Sequence, residues 1–238
     1  MASNKPGLCC AAVNFHEGTP IGNYETVYGL DTYVVGHEHT RIIVIITDAF
    51  GHKLNNTLLI ADEFARAGYK VYIPDVLEGD AFLGPIQEIF EWLPKHSFEV
   101  TAPIVNKFLQ ELREEAGIAA FVGVIGYCFG AKFAIPHLAV DGIATAGAVA
   151  HPSSVAIEEI SAIRKPIIIS AAETDPVFAP ELRHQTEAKL AEIKARYQLT
   201  LFSGVEHGFA VRGDIKDPVV KYAKEKTLAD QLQWFSLF

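Results

Sequence analysis

The chain has 238 residues, half of them apolar and 21% charged, with 20 Lys and Arg against 29 Asp and Glu for a net charge of −9. That apolar content excludes a disordered tail, and the length suits a single domain spanning residues 1–238. The acidic balance argues against binding nucleic acid and against docking on anionic membranes, since both rely on clustered cations.

Gly7, Gly18, Gly22 and Gly29 punctuate the N-terminal portion. There Glu25–Tyr28 and Thr32–Val35 predict short strands around a Gly-containing turn, an antiparallel edge to the sheet that follows. Arg41–Thr47 is a β-branched run expected of a strand buried on both faces. Leu58–Ala67 has helical spacing and stops at Gly68, a natural C-cap. Tyr69–Ile73 is the next strand, closed by Pro74, and Phe98–Ala116 a long helix stopped by Gly117. Ala120–Tyr127 then reads as strand, Phe129–Leu138 as helix and Ala144–Ala150 as strand. Pro166–Ala171 is strand, Pro180–Arg196 helix, Leu199–Phe202 strand and Pro218–Trp234 a final helix. This alternation predicts an α/β fold, a mostly parallel central sheet with helices on both faces.

In such sheets ligands bind outside the carboxyl ends of the strands. The residues that end the strands are Asp48, Asp75, Cys128, His151, Asp175 and His207. The most informative window is Val122–Ala134, where a strand runs into Gly126-Tyr127-Cys128-Phe129-Gly130 and a helix follows at once. This is the G-x-nucleophile-x-G pattern of a nucleophile elbow, with Cys in the place of Ser. Its glycines sit where a Cβ would strike the adjoining strand and helix. The helix N-terminus beside the sulfur favours thiolate. The plain alternative is a small buried Cys in a Gly-rich turn.

A cysteine nucleophile needs a base and a group that orients the base, here in the chain order nucleophile, acid, histidine. Asp175 follows the PIIISA strand and His207 follows LTLFSG, each at the same edge of the sheet. Glu173 competes for the acid position, whereas Glu206 and His151 are decoys, His151 with a structural or pocket-lining role in preference to a catalytic one. The backbone N–H groups of Phe129 and Ala49 are the candidate oxyanion donors. Phe82, Trp92, Tyr127 and Phe209 are candidate pocket walls, and the Gly- and Pro-containing stretch 78–93 a candidate lid.

Cys9, Cys10 and Cys128 are too few for a disulfide framework, and MASNKPGLCC has no apolar stretch of signal type. No run reaches bilayer-spanning length, so a cytoplasmic protein is expected, monomeric or homodimeric. The adjacent Cys9-Cys10 and the His37-x-His39 pair lack metal-site spacing, and no G-x-G-x-x-G or Walker loop occurs. No metal or cofactor is therefore expected.

The elbow, the Asp175-Pro176 loop, His207-Gly208-Phe209-Ala210 and Asp48-Ala49-Phe50-Gly51 together resemble the dienelactone hydrolase family, from about Tyr24 to the C-terminus. The resemblance implies an α/β-hydrolase fold and hydrolysis of a small ester or lactone, with Cys128 as nucleophile, His207 as base and Asp175 as its partner. It also implies a thiol-gating role for Asp48, where bacterial members carry Glu, and a substrate-carboxylate contact for Arg212. The second family arginine has no counterpart in the loop DVLEGD at 75–80, a departure that points to the fungal branch. A carboxylesterase or thioesterase, or a weakly catalytic ligand-binding or redox-sensing protein using Cys128, are the alternatives.

Overall fold

The structure is a computed structural model that describes residues 2–4, 13–85 and 88–238. In chain order its elements are β1 (Asn23–Val27), β2 (Leu30–Val35), β3 (Arg41–Ile46), α1 (Asn55–Arg66) and β4 (Lys70–Pro74). They continue through α2 (Ile89–Trp92), α3 (Phe98–Ala116), β5 (Phe121–Tyr127), α4 (Ala131–Ala134), β6 (Ala146–Ala150) and α5 (Ile157–Ala162). The chain closes with β7 (Ile167–Thr174), α6 (Pro180–Glu192), β8 (Tyr197–Glu206), α7 (Phe209–Arg212) and α8 (Pro218–Phe235).

The strands form one sheet in the order β1-β2-β4-β3-β5-β6-β7-β8. β1 and β2 pair antiparallel, β2 meets β4 antiparallel, and every pairing from β4 to β8 is parallel. This matches the expected antiparallel edge followed by a parallel sheet.

Alternation along the strands builds two cores. Ile42, Val44 and Ile46 of β3 face one with α3, α4 and α5, whereas Ile43 and Ile45 face the other with α1 and α8. Ile43 and Ile45 are completely buried, and each such side chain contributes about 1.5–3 kcal/mol relative to exposure. A strand packed on both faces has no polar side to display, which is why RIIVII reads as an unbroken apolar run.

The chain reverses its direction of sheet growth after β4. β4 lies on one side of β3 and β5 on the other, with Ile46 opposite Gly126 where those two strands end. Such a switch point leaves a crevice at the carboxyl edge that no crossover covers. Asp48 and Cys128 leave their strands there.

Some boundaries differ from expectation. The helix predicted over Phe129–Leu138 is a composite, with 3-10 turns at Cys128–Gly130 and Ile135–Leu138 flanking the single α-turn of α4. Pro136 lacks the N–H that a continuous α-helix would use. α6 stops at Glu192, and Lys194 takes a φ of 54°, which ends the helix without glycine. No helix among the described residues is long and apolar enough to cross a membrane.

Candidate active site

β5 delivers Cys128 to the sheet edge in a left-handed backbone conformation, φ 49°, which non-glycine residues adopt at a cost. Close packing enforces the turn. A Cβ on Gly130 would lie 2.1 Å from the Ile46 carbonyl oxygen, and one on Gly126 would lie 2.6 Å from Ala131 Cα. Only glycine lets the elbow sit this near β3 and its own helix.

The thiol is the first member of a hydrogen-bonded chain. Cys128 Sγ lies 3.1 Å from His207 Nε2, and His207 Nδ1 lies 2.9 Å from both oxygens of Asp175. Asp175 Oδ1 also accepts from the backbone N–H groups of Val177 and Phe178, at 2.8 and 2.9 Å, which fixes the carboxylate. The His207 and Asp175 side chains are fully shielded from solvent. Burial disfavours charge on the imidazole. The Cys128 sulfur and the Asp175 carboxylate outweigh it and hold the His207 pKa up at about 10. A protonated imidazole at this distance from a sulfur favours its thiolate form.

Glu173 does not compete for the place of Asp175. It is exposed and accepts from Ser203 Oγ and the Gly204 N–H, turned away from His207. Glu206, last in β8, is also exposed. The redox-sensing alternative assumed an accessible thiol, whereas Cys128 is only 1% exposed.

Asp48 and Arg212 form a second buried unit at the switch point. Arg212 Nε donates to Asp48 Oδ2 at 2.7 Å, and the Phe50 N–H donates to Asp48 Oδ1 at 3.0 Å. The guanidinium also lies 5.1 Å from the centre of the Phe50 ring. Burial pushes the Asp48 carboxyl up from its ordinary range, Arg212 pulls it down, and the neighbouring Cys128 sulfur pushes it up again. Arg212, expected to meet a substrate carboxylate, has its Nε committed to this carboxylate at 2% exposure.

The expected pocket walls divide. Phe82 donates its N–H to the Ala49 carbonyl at 2.8 Å, and its ring lies 6.3 Å from Phe50 and 6.1 Å from Trp92. Trp92 lies 5.3 Å from Phe129 and anchors its indole N–H on the Asp80 carbonyl at 2.7 Å. An aromatic belt thus runs from the loop after β3 to the elbow. Tyr127 is not part of it. One residue before Cys128, it points to the opposite core and donates to Gln231 of α8 at 3.0 Å. Phe209 packs between His151 and Phe202. Within the expected lid at 78–93, residues 86 and 87 lie outside the described residues, as do Cys9 and Cys10.

Two cavities open nearby, of which the first reaches the elbow at Phe129. One of about 490 Å³ is bordered by Phe129, Phe133, Ser154 and Phe98, and one of about 660 Å³ by Phe50, His52, Lys53 and Leu83.

Two neighbours of the sulfur did not emerge as such from the sequence. Ser153 Oγ lies 3.6 Å from Sγ, and the Ser153 N–H donates to the Cys128 carbonyl at 3.1 Å. His151, at the end of β6, is completely buried with its ring 5.1 Å from that of His207. Burial drives its pKa down to about 4, against the pull of Cys128, so the ring is neutral. The run His151-Pro152-Ser153-Ser154 directly after a strand was the available signal.

The family model of the dienelactone hydrolase family matches residues 30–238. The chain belongs to the dienelactone hydrolase family. It is 37% identical to hydrolase pyvD of Aspergillus violaceofuscus over 100% of this chain and 99% of that protein. It is 31% identical to dienlactone hydrolase 1 of Gibberella moniliformis over 97% of this chain and 93% of that one. The fold is that of the α/β hydrolases. The crystal structure of dienelactone hydrolase from Anabaena variabilis superposes with a TM-score of 0.67 at 13% identity, covering 94% of this chain and 99% of that one. Membership makes the chain an enzyme of the hydrolase class.

Proposed function

We propose that this dienelactone hydrolase-family protein cleaves small carboxylic esters or lactones through an acyl-enzyme on Cys128. The observation that carries the reading is the unbroken contact from Cys128 Sγ through His207 to both oxygens of Asp175. In the resting pair the sulfur is thiolate and His207 Nε2 holds the proton. The thiolate attacks the carbonyl carbon. The carbonyl oxygen takes up negative charge against the N–H of Phe129, at the positive end of the elbow helix, and the N–H of Ala49. His207 then gives its proton to the departing alkoxide, which in a lactone stays tethered as the new hydroxyl. Water, deprotonated by the now neutral His207, cleaves the thioester and restores the pair. Asp175 receives the Nδ1–H throughout, fixing tautomer and ring orientation.

Asp48 and Arg212 set the electrostatic floor beside the sulfur. A neutral or Arg-paired carboxyl at this position avoids repelling the thiolate, which is the form the gating role takes here. The cavity bordered by Phe129 has the volume of a small-molecule site, and its Phe98, Phe129 and Phe133 borders suit apolar or aromatic acyl groups. A matched panel of p-nitrophenyl esters, lactones and acyl thioesters tests the reading. Hydrolysis of oxygen esters or lactones by the wild-type protein and its loss in Cys128→Ala is the expected result. Turnover confined to thioesters, or undiminished in Cys128→Ala, would overturn it.

A further inference from the structure

His151 directly follows β6 with a left-handed φ of 39° and is wholly buried, with a ring nitrogen turned to the Cys128 sulfur. The ring's faces and edges have aromatic neighbours: Tyr127 stacks at 6.2 Å, and Phe209 and His207 meet it edge-on at 5.7 and 5.1 Å. One ligand atom each from His151, His207 and Cys128, all three buried, lie within 4.8 Å of one another.

Two imidazoles and a thiolate are the donor set of a borderline-soft divalent cation, Zn²⁺ above all. A tetrahedral ion with the usual Zn–N and Zn–S lengths spaces such atoms roughly 3.3–3.6 Å apart. Cys128 Sγ and His207 Nε2 are already 3.1 Å apart. The set closes on an ion with side-chain shifts of about 1 Å, given those bond lengths.

We propose that Cys128, His207 and His151 form an inhibitory Zn²⁺ site, in which His151 is the ligand that converts a nucleophile–base pair into a metal chelate. The sulfur and both imidazole nitrogens donate lone pairs to the ion. The single proton held between Cys128 and His207 is displaced to solvent, and no redox change occurs. The nucleophile and its base are then blocked together, and removing the ion restores both. Inhibition rests on the hydrolase reading above, whereas binding of the ion does not.

Metal-free protein titrated with Zn²⁺ by calorimetry, and with Co²⁺ by absorption, tests the site. One ion per chain is expected, with a thiolate-to-cobalt charge-transfer band in the near ultraviolet. Cys128→Ser abolishes the band, and a Cys9→Ser/Cys10→Ser variant retains it. His151→Gln weakens Zn²⁺ binding at least about tenfold, since even groups that only orient a metal ligand contribute that much. His151→Asn, whose side chain tolerates left-handed backbone, must behave alike while keeping the wild-type melting temperature. In hydrolysis assays Zn²⁺ inhibits the wild-type protein, a chelator reverses it, and both His151 variants resist. Unchanged Zn²⁺ affinity in the two His151 variants, a band that survives Cys128→Ser, or no binding to the folded wild-type chain would overturn the proposal. Binding with the expected band in a protein that hydrolyses no ester would uphold the metal site and refute the hydrolase reading.

Discussion

Arg212→Met isolates the electrostatics beside the sulfur. Arg212 and Asp48 meet at 2.7 Å with side-chain exposures of 1% and 0%, so solvent does not screen the pair. Removing one partner of a buried pair leaves an uncompensated charge, a loss of about 3–5 kcal/mol. Asp48→Asn should cost a similar amount by removing the carboxylate that the buried guanidinium donates to, whereas Asp48→Asn/Arg212→Met should cost no more than the worse single change. That corresponds to a coupling of about 3 kcal/mol. The pH dependence follows from the direction of the Asp48 shift. Its carboxyl is raised by burial and held back by Arg212, so without Arg212 it rises further. A carboxyl with a folded-state pKa above its unfolded value favours the folded state at low pH, and that advantage is lost as pH rises through the folded pKa. The deficit of Arg212→Met is therefore largest in mildly alkaline buffer and shrinks on acidification, with no such trend attributable to Asp48 in the double variant. Urea unfolding of the four proteins at about pH 8 and about pH 5 measures both effects. Additive losses, or an Arg212→Met deficit independent of pH, would refute the pairing.

Asp175→Asn should lower turnover roughly 10²- to 10⁴-fold by removing the acceptor that orients His207, whereas Glu173→Gln should leave it near wild type; steady-state kinetics on one ester decide. Equal losses would mean that Asp175 is not the orienting group. The rate of Cys128 alkylation by iodoacetamide, limited by burial, should depend little on pH down through neutrality in the wild-type protein, because His207 keeps its proton up to about 10. In His207→Asn the profile should move toward the ordinary thiol value of about 8.5, and an unchanged profile would exclude the ion pair.

The elbow was legible because its chemistry and its mechanics leave the same trace. Gly126 and Gly130 flank Cys128 at the spacing that close packing against Ala131 and Ile46 demands. Asp175 and His207 were legible through chain order, each falling just after an apolar run. The Asp48–Arg212 bond was not, since it joins residues 164 positions apart and depends on which loop faces which. The orientation of Tyr127 was missed for a simpler reason. Successive strand residues face opposite sides, so a neighbour of Cys128 on β5 belongs to the other core. β8 reaches Glu206, well beyond the expected Phe202, because its exposed outer positions dilute the apolar pattern while its ladder with β7 continues to Thr174. Short elements such as α5 and α7 carry too few residues to show a helical period.

Mass spectrometry of the protein quenched seconds after mixing with an activated ester tests the acyl-enzyme most directly. An added acyl mass on the peptide carrying Cys128, accumulating when His207 is replaced and absent in Cys128→Ala, is the expected result. Hydrolysis proceeding with no adduct on that peptide, or with the acyl group on another side chain, would contradict it.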